Sequence, residues 1–239
     1  MSDRDPRRRL LNRHANNPLL SAYDWPYFVN TVFNPGAIRL ASGETLLLCR
    51  VEDCTGISHL CAARSDNGID GWRVDPQPTL MADPERFPEE YWGIEDPRIV
   101  WLPERESYAV TYTCYSQRGP GVSLALTEDF RHFERLGNIM PAENKDAALL
   151  PRKIKGRWVL IHRPVATQSQ AHIWMSFSPD LKHWGDHKLV LSARRGAWLV
   201  ANKIGLSTPL VVTPQGWLML YQRGARHTSG LPIPAWACP

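Results

Sequence analysis

The sequence lacks the short motifs that most directly assign chemistry to a chain. It has no Gly-rich phosphate loop, no GxSxG nucleophile elbow and no HxH or HExxH spacing among its histidines. Its five cysteines form an odd set without a CxxC pair, which argues against a zinc ribbon and against a disulfide framework. We therefore expect no metal site, no bound cofactor, and cysteines that are reduced and buried.

Long apolar runs are also missing. No run approaches the roughly 18–20 residues of a membrane span, so we predict no membrane partner. The N-terminus contains arginines without the apolar centre of a signal peptide, which predicts a cytoplasmic protein.

Charge is concentrated at one end of the chain. The net charge is +4, and residues 1–17 carry +3 of it through five arginines against Asp3 and Asp5. A basic arm can contact nucleic acid or an acidic partner, whereas a solvated terminus needs no partner. Because the rest of the chain is nearly neutral, we predict a flexible arm over residues 1–16 and no nucleic-acid partner.

Turn-forming residues are plentiful and divide the chain into short apolar segments. The sequence has 20 prolines, 16 glycines and ten tryptophans, and no segment shows a sustained helical stripe of apolar residues. This spacing predicts an all-β sandwich, barrel or propeller with few helices. The clearest predicted strands are Thr45–Val51, Ser58–Ala63, Tyr108–Tyr115, Arg157–His162 and Trp217–Tyr221.

A degenerate repeat favours the propeller. An apolar strand, a polar turn and an aromatic residue recur and end at Trp72, Phe133 and Trp184, which lie 61 and 51 residues apart. That period suits one four-stranded blade, with the aromatic packing between neighbouring blades. We predict a propeller over residues 17–224. Residues 225–239 lose the alternation and are interpreted as an atypical tail of a truncated or frameshifted last blade.

The segment Trp92–Ile99 (WGIEDPRI) is the most informative for chemistry. Two adjacent carboxylates precede Pro97 and the apolar strand that follows it. The residue before a proline is biased to extended geometry, which predicts Asp96 at a strand entrance. Asp96 is then either a general acid for glycosidic cleavage or a turn cap whose salt-bridge partner is Arg98.

Four cations adjoin apolar segments instead of lying in charged loops. A buried cation needs an anion, which is either a protein carboxylate or a bound group such as phosphate. Isolated ion pairs and one shared anion site are both consistent with the sequence. The four are Arg50, Lys145, Arg163 and Lys203.

Seven motifs follow one another in the order seen in glycoside hydrolase family 130, and the chain resembles that family from about Asn17 to Gly224. The motifs are FNPGA from Phe33, LCRVE from Leu48, GIEDPR from Gly93, KDAAL from Lys145, HRP from His162, KIG from Lys203 and GWL from Gly216.

The resemblance implies a five-bladed β-propeller, here truncated in its last blade, that cleaves β-mannosides with inversion. Phosphorolysis would give α-mannose 1-phosphate and a shortened acceptor, with inorganic phosphate as co-substrate and a β-linked manno-oligosaccharide as substrate. Asp96 would be the sole general acid, its proton passing through the mannose 3-hydroxyl. The resemblance assigns phosphate to Lys145, Arg163 and Lys203, and the mannose subsite to Asn34, Arg50 and Asp146. Trp92, beside the Glu-Asp pair, is the tryptophan we expect to stack on a sugar.

The chain also departs from the family pattern. Gln222 stands where the resemblance implies a phosphate-binding histidine, and the later closing strands are absent. A hydrolase of the same family and a non-catalytic sugar-binding propeller are the alternative functions. The linkage, the acceptor sugar and the formation of a homo-oligomer stay open at this point.

Overall fold

The described part of the chain is all-β, as predicted. The computed structural model describes residues 12, 14–164, 171–193 and 203–224. Helical structure within these ranges is limited to three-residue 3-10 turns at Ala22–Asp24, Pro88–Glu90 and Pro103–Arg105. None of the described helices has the length and apolar character to cross a membrane. Most of the predicted arm, and the whole of the predicted tail, lie outside the described residues.

Three four-stranded antiparallel sheets follow one another along the chain, each a meander in which sequential strands pair. The first sheet contains β1 (Thr31–Arg39), β2 (Thr45–Glu52), β3 (Ser58–Ser65) and β4 (Arg73–Val74). The second contains β5 (Ile94–Leu102), β6 (Ser107–Ser116), β7 (Gly119–Thr127) and β8 (Glu134–Met140). The third contains β9 (Asn144–Leu149), β10 (Trp158–Pro164), β11 (Ile173–Ser178) and β12 (Gly185–Leu191).

The last described segment forms two smaller pairs. In these, β13 (Lys203–Leu206) pairs with β16 (Tyr221–Gly224), and β14 (Val211–Thr213) pairs with β15 (Gly216–Leu218). Four of the five predicted strands are confirmed, as β2, β3, β6 and β10. The predicted strand Trp217–Tyr221 is wrong, because Met219 and Leu220 interrupt it between β15 and β16.

Apolar cores lie between successive sheets and stack them. One core joins the first and second sheets through residues such as Leu48 and Val110, and another joins the second and third through Leu124 and Leu160. A third core packs Ile161 against β13. Strands in the middle of a stack are therefore buried on both faces and need no polar alternation. The first strands of consecutive sheets are in contact, β1 with β5, β5 with β9, and β9 with β13.

The predicted turn repeat is confirmed in the second and third sheets. Asp129 and Asp180 each accept two backbone hydrogen bonds from the residues two and three positions further on. Phe133 and Trp184 then pack against the cores between sheets. The expectation is wrong for Trp72, which lies outside the described cores and donates its indole N–H to the Ile69 carbonyl at 3.3 Å.

The cysteines are free thiols in the described chain. Cys49, Cys61 and Cys114 are buried as predicted, whereas Cys54 is exposed, so the prediction is wrong there. Burial raises the pKa of Cys49 to about 12, which keeps that thiol protonated. Cys238 lies outside the described residues.

Candidate active site

The same backbone irregularity occurs near the start of the first strand in each four-stranded sheet. Asn34, Asp96 and Asp146 have φ of 46°, 49° and 51°, in the left-handed region. Each lies at a shift in strand register, where β1 meets β2, β5 meets β6, and β9 meets β10. Asn and Asp tolerate this region better than other non-glycine residues. Since a bulge re-aims a side chain, the three sheets each contribute one polar group to the same region.

Asp96 therefore departs from the geometry that the sequence predicts. Its φ of 49° is far from extended, and it is the third residue of β5 instead of a residue at the strand entrance. The bulge between Glu95 and Arg98 overrides the usual bias of a residue before proline.

A cavity of about 180 Å³ lies among these bulges. Its lining comes from all three sheets and from the segment around β13 and β16. The lining residues are Asn34, Pro35, Asp96, Pro97, Arg98, Asp146, Ser207 and Gln222.

Two glycines, which have no side chain, allow the first strands of neighbouring sheets to approach closely. A Cβ on Gly36 would lie 2.7 Å from the Pro97 carbonyl oxygen, and one on Gly205 would lie 2.6 Å from Arg163 Nη1 and collide with the Asp146 carboxylate. The glycines of the FNPGA and KIG motifs are therefore required by contact between sheets.

Asp96 is anchored through one carboxylate oxygen. Asn34 Nδ2 donates to Oδ1 at 3.0 Å, and Arg50 Nη1 donates to the same oxygen at 3.2 Å. The Asp96 side chain is 17% exposed. The salt bridge that the turn-cap interpretation assigned to Arg98 does not form; Arg98 Nη1 instead donates to the Asp96 backbone carbonyl at 3.3 Å.

Glu95 connects two of the predicted cations. Its carboxylate meets Arg50 through both oxygens, at 3.1 Å to Nη2 and 3.0 Å to Nη1, and meets Lys145 Nζ at 3.4 Å. Arg50 is held further by donating Nε to Ser58 Oγ at 2.9 Å and by lying over the Phe33 ring at 4.4 Å. The sequence motifs indicated no role for Glu95, although its position beside Asp96 is a usable signal.

Asp146 is the centre of a second, more buried cluster. Arg163 Nη1 lies 2.6 Å from Asp146 Oδ2 and Arg98 Nη2 lies 3.6 Å from Oδ1, both as ion pairs. Arg98 also donates to the Leu206 carbonyl at 2.6 Å. Burial lowers the pKa of Arg163, and the Asp146 carboxylate opposes that shift. Arg98 was predicted only as a salt-bridge partner, and its place in the cavity wall was not predicted.

The remaining predicted residues lie at the margin. Trp92 is 40% exposed and packs tilted against Tyr115 with ring centroids 5.7 Å apart, and it does not line the cavity. Lys145 Nζ lies 6.0 Å from the same Tyr115 ring. Lys203 begins β13 opposite Gly224, is exposed, and does not line the cavity either. The structure thus gathers Asn34, Arg50, Asp96, Asp146 and Arg163 closely, and leaves Trp92 and Lys203 outside that group.

Charges of both signs balance across this region. Four cations (Arg50, Arg98, Lys145, Arg163) form ion pairs with four carboxylates (Glu52, Glu95, Asp96, Asp146). These ion pairs form two clusters, one in which Arg50 and Lys145 share Glu95 and one in which Arg98 and Arg163 share Asp146, so the cations are not isolated pairs. No group of three or more potential metal ligands is found among the residues that the structure describes.

This polar cavity is lined by an anchored carboxylate and by Arg98, and further cations lie beside it where the sheets converge. Such groups can hydrogen-bond a sugar and attract an anion. Comparison with known proteins identifies a family. The sequence profile of glycoside hydrolase family 130, described as β-1,4-mannooligosaccharide phosphorylase, matches residues 4–229. This chain belongs to that family.

Individual relatives support the assignment. A β-1,2-mannobiose phosphorylase of Listeria innocua serovar 6a is 34% identical over 168 residues, covering 70% of this chain and 45% of that protein. A β-1,4-mannooligosaccharide phosphorylase of Ruminococcus albus is 30% identical over 233 residues, covering 95% of this chain and 68% of that protein. The solved complex of a Listeria innocua β-1,2-mannobiose phosphorylase with β-1,2-mannobiose superimposes with a TM-score of 0.77 at 27% identity, covering 88% of this chain and 74% of that one.

The chain is shorter than these proteins. It spans about half the length of two curated phosphorylases that it matches, 45% of one and 53% of the other.

Proposed function

We propose that this protein catalyses inverting phosphorolysis of β-mannosides, releasing α-mannose 1-phosphate and a shortened acceptor sugar. In this proposal the consecutive sheets are blades of a five-bladed propeller and the cavity at their first strands is the mannose subsite. The contacts between β1 and β5, β5 and β9, and β9 and β13 support that arrangement. A cytoplasmic location belongs to the proposal, because a sugar phosphate released outside the cell would be lost to it.

The observation that carries the proposal is the state of Asp96. Both hydrogen bonds that the described residues give to its carboxylate go to Oδ1, from Asn34 and Arg50. Asp96 lines the cavity, so its other oxygen is available for proton transfer to a bound sugar. An acid held by one oxygen keeps its orientation while the other exchanges a proton.

The proposed reaction then balances as follows. The bond from the anomeric carbon to the leaving oxygen breaks, and that oxygen takes the proton of Asp96, relayed through the mannose 3-hydroxyl. A phosphate oxygen bonds to the anomeric carbon from the opposite face, so the configuration inverts. Phosphate is already an anionic nucleophile, and no catalytic base is needed.

Cations next to the cavity are proposed to hold phosphate. Lys145 and Arg163 pair in register on β9 and β10, so their backbones lie side by side. Lys203 enters the proposal from its position on β13, which contacts both of those strands. Asn34, Arg50 and Asp146 are assigned to the sugar, and Trp92 to a position beyond the cavity where a longer glycan chain would pass.

The test measures mannose 1-phosphate and free mannose released from β-1,4-mannobiose and β-1,2-mannobiose, with and without inorganic phosphate. We expect mannose 1-phosphate only when phosphate is present. Asp96→Asn should lower kcat by about 10²- to 10⁴-fold, the usual contribution of a general acid. Asp186→Asn is the matched control, because Asp186 also has a left-handed φ, of 50°, but is exposed and paired with Arg157. Asp186→Asn should leave the rate unchanged.

Other results would replace the proposal. Free mannose released without phosphate would identify a hydrolase. Mannoside binding without turnover, in a protein with a cooperative unfolding transition, would identify a sugar-binding module. A rate unchanged by Asp96→Asn would remove Asp96 from the mechanism.

A further inference from the structure

Glu95 is the carboxylate that touches both halves of the candidate site. It contacts Arg50, which also contacts Asp96, and it contacts Lys145, which is assigned above to phosphate. Its side chain is 13% exposed, so these contacts are little screened by water. Glu95 therefore links Arg50, which contacts the proposed acid Asp96, to Lys145, which is assigned to phosphate.

The bulge explains how two adjacent carboxylates, those of Glu95 and Asp96, both reach the guanidinium of Arg50. In a regular strand the side chains of Glu95 and Asp96 would point to opposite faces of the sheet. The left-handed φ of 49° at Asp96 breaks that alternation, and both carboxylates reach Arg50 within 3.2 Å. Arg50 is therefore fixed between them.

Charge balance then constrains how an anion can enter. The ion-pair cluster around Glu95 sets two cations, Arg50 and Lys145, against three carboxylates, so a phosphate that binds in this cluster needs a cation that can leave its present partner. Arg163 is 3% exposed and 2.6 Å from Asp146, whereas Lys145 is 24% exposed and 3.4 Å from Glu95. Lys145 is the cation of this pair that exchanges partners at the smaller cost.

We infer that Glu95 is a positioning residue that holds Lys145 and Arg50 in the phosphate-free protein and releases Lys145 to incoming phosphate. This inference rests on the proposed function, because it assigns the anion to Lys145. Glu95 keeps its two contacts with Arg50 after the exchange, so Arg50 stays in place against Asp96. The residue thus competes with phosphate while supporting the acid.

Removing the charge of Glu95 should tighten phosphate binding and at the same time slow turnover. In Glu95→Gln, phosphate no longer competes with a carboxylate for Lys145, and we expect its dissociation constant to fall about three- to tenfold. Arg50 loses one of its three charged partners and orients Asp96 less well, and we expect kcat to fall about tenfold. A merely structural role would not tighten phosphate binding.

The chain offers a matched control in Glu52→Gln. Glu52 also approaches Arg50, at 3.7 Å, and accepts from Asn30 at 3.0 Å, but it has no contact with Lys145 among the described residues. The same loss of charge at Glu52 should change phosphate affinity and kcat by no more than about twofold.

The experiment titrates inorganic phosphate by calorimetry into Asp96→Asn protein with and without Glu95→Gln or Glu52→Gln, and measures kcat and KM for phosphate with Asp96 intact. Repeating the titration in a Lys145→Met background should abolish the effect of Glu95→Gln, since the partner is gone. Thermal unfolding of each variant confirms folding.

Weaker or unchanged phosphate binding in Glu95→Gln would overturn the inference, as would equal effects of Glu52→Gln. A chain that binds phosphate more tightly in Glu95→Gln but shows no phosphate-dependent turnover would keep the inference and overturn the proposed function. No phosphate binding by any form would overturn both.

Discussion

Asp96 and Asp146 occupy equivalent bulges on neighbouring sheets, yet their surroundings differ. Both have a left-handed φ near 50° on the first strand of a sheet. The Asp96 side chain is 17% exposed and shares Arg50 with Glu95, whereas the Asp146 side chain is 7% exposed and lies between Arg163 and Arg98. Both carboxylates thus line the cavity, but that of Asp96 is the more exposed and that of Asp146 is buried between two arginines.

The difference shows how the same bulge geometry can give two aspartates different roles. A carboxylate that must give up a proton cannot also be the only counter-charge of a buried arginine, because protonation would leave that arginine unpaired. Asp96 has Glu95 beside it to keep Arg50 neutralised. Among the described residues, Asp146 is the single carboxylate within ion-pair distance of Arg163. We therefore expect Asp96 to matter for rate, and Asp146 to matter for stability in addition to its assigned contact with the sugar.

The largest expected effect is on stability. Asp146→Asn leaves Arg163 buried without a counter-charge, and we expect the free energy of unfolding to fall by about 3–5 kcal/mol. Asp96→Asn should lower it by less than about 1 kcal/mol, since Glu95 still neutralises Arg50. Urea titration of the two variants measures both values. Equal losses would contradict the division between the two bulges.

The next effect concerns the other face of the strand that carries Arg163. His162 is buried with neutral partners, Asn144 at 3.1 Å and Ser176 at 2.7 Å, and burial lowers its pKa from 6.5 to about 4. Below pH 6.5 this histidine binds a proton in the unfolded chain, whereas in the folded chain it stays neutral until about pH 4. Stability is therefore complete above pH 6.5 and falls by about 3 kcal/mol as the pH drops to 4.

The measurement is urea unfolding of wild type and His162→Gln between pH 7 and pH 4. The difference in unfolding free energy between them should shrink by about that amount as the pH falls. His14→Gln, at an exposed position, should keep the wild-type slope. A pH dependence unaltered by His162→Gln would show that this histidine is not buried in its neutral form.

The smallest effect tests the fit of Asp146 against the neighbouring strand. In Gly205→Ala the new methyl group meets the Asp146 carboxylate and Arg163, and we expect a loss of about 1–3 kcal/mol from overpacking. Gly185→Ala is the control, because a Cβ there has no neighbour within 4 Å and its backbone is not left-handed. Gly185→Ala should stay within about 0.5 kcal/mol of wild type in thermal unfolding.

Much of the fold could be predicted from the sequence, because strand composition and turn residues are local signals. The aspartate turns before Phe133 and Trp184 are examples, since their hydrogen bonds join residues no more than three apart. Trp217–Tyr221 shows the limit, because its apolar run hides a break at Met219 and Leu220. Composition alone does not show at which residue a strand stops pairing with its neighbour.

The site was harder to predict, because its geometry depends on contacts between sheets. The motifs indicated Asp96 and the cations, but the left-handed bulge at Asp96 runs against the extended bias of a residue before proline. The partnership of Arg98 with Leu206, 108 positions away, and that of Glu95 with Lys145, 50 positions away, have no local signature. The cavity exists only once three sheets and β13 are in place.

The close approach of Gly36 to the Pro97 carbonyl has an evolutionary consequence. Asn34 and Asp96 stand on separate sheets and meet at 3.0 Å, so a slide of about 1 Å between those sheets would break their contact and slow the reaction. Substitutions in the apolar layer between these sheets, far from any sugar, should therefore appear as losses of turnover before they appear as losses of folding. Under the proposed function, selection for rate would also act on interior residues that never meet the substrate.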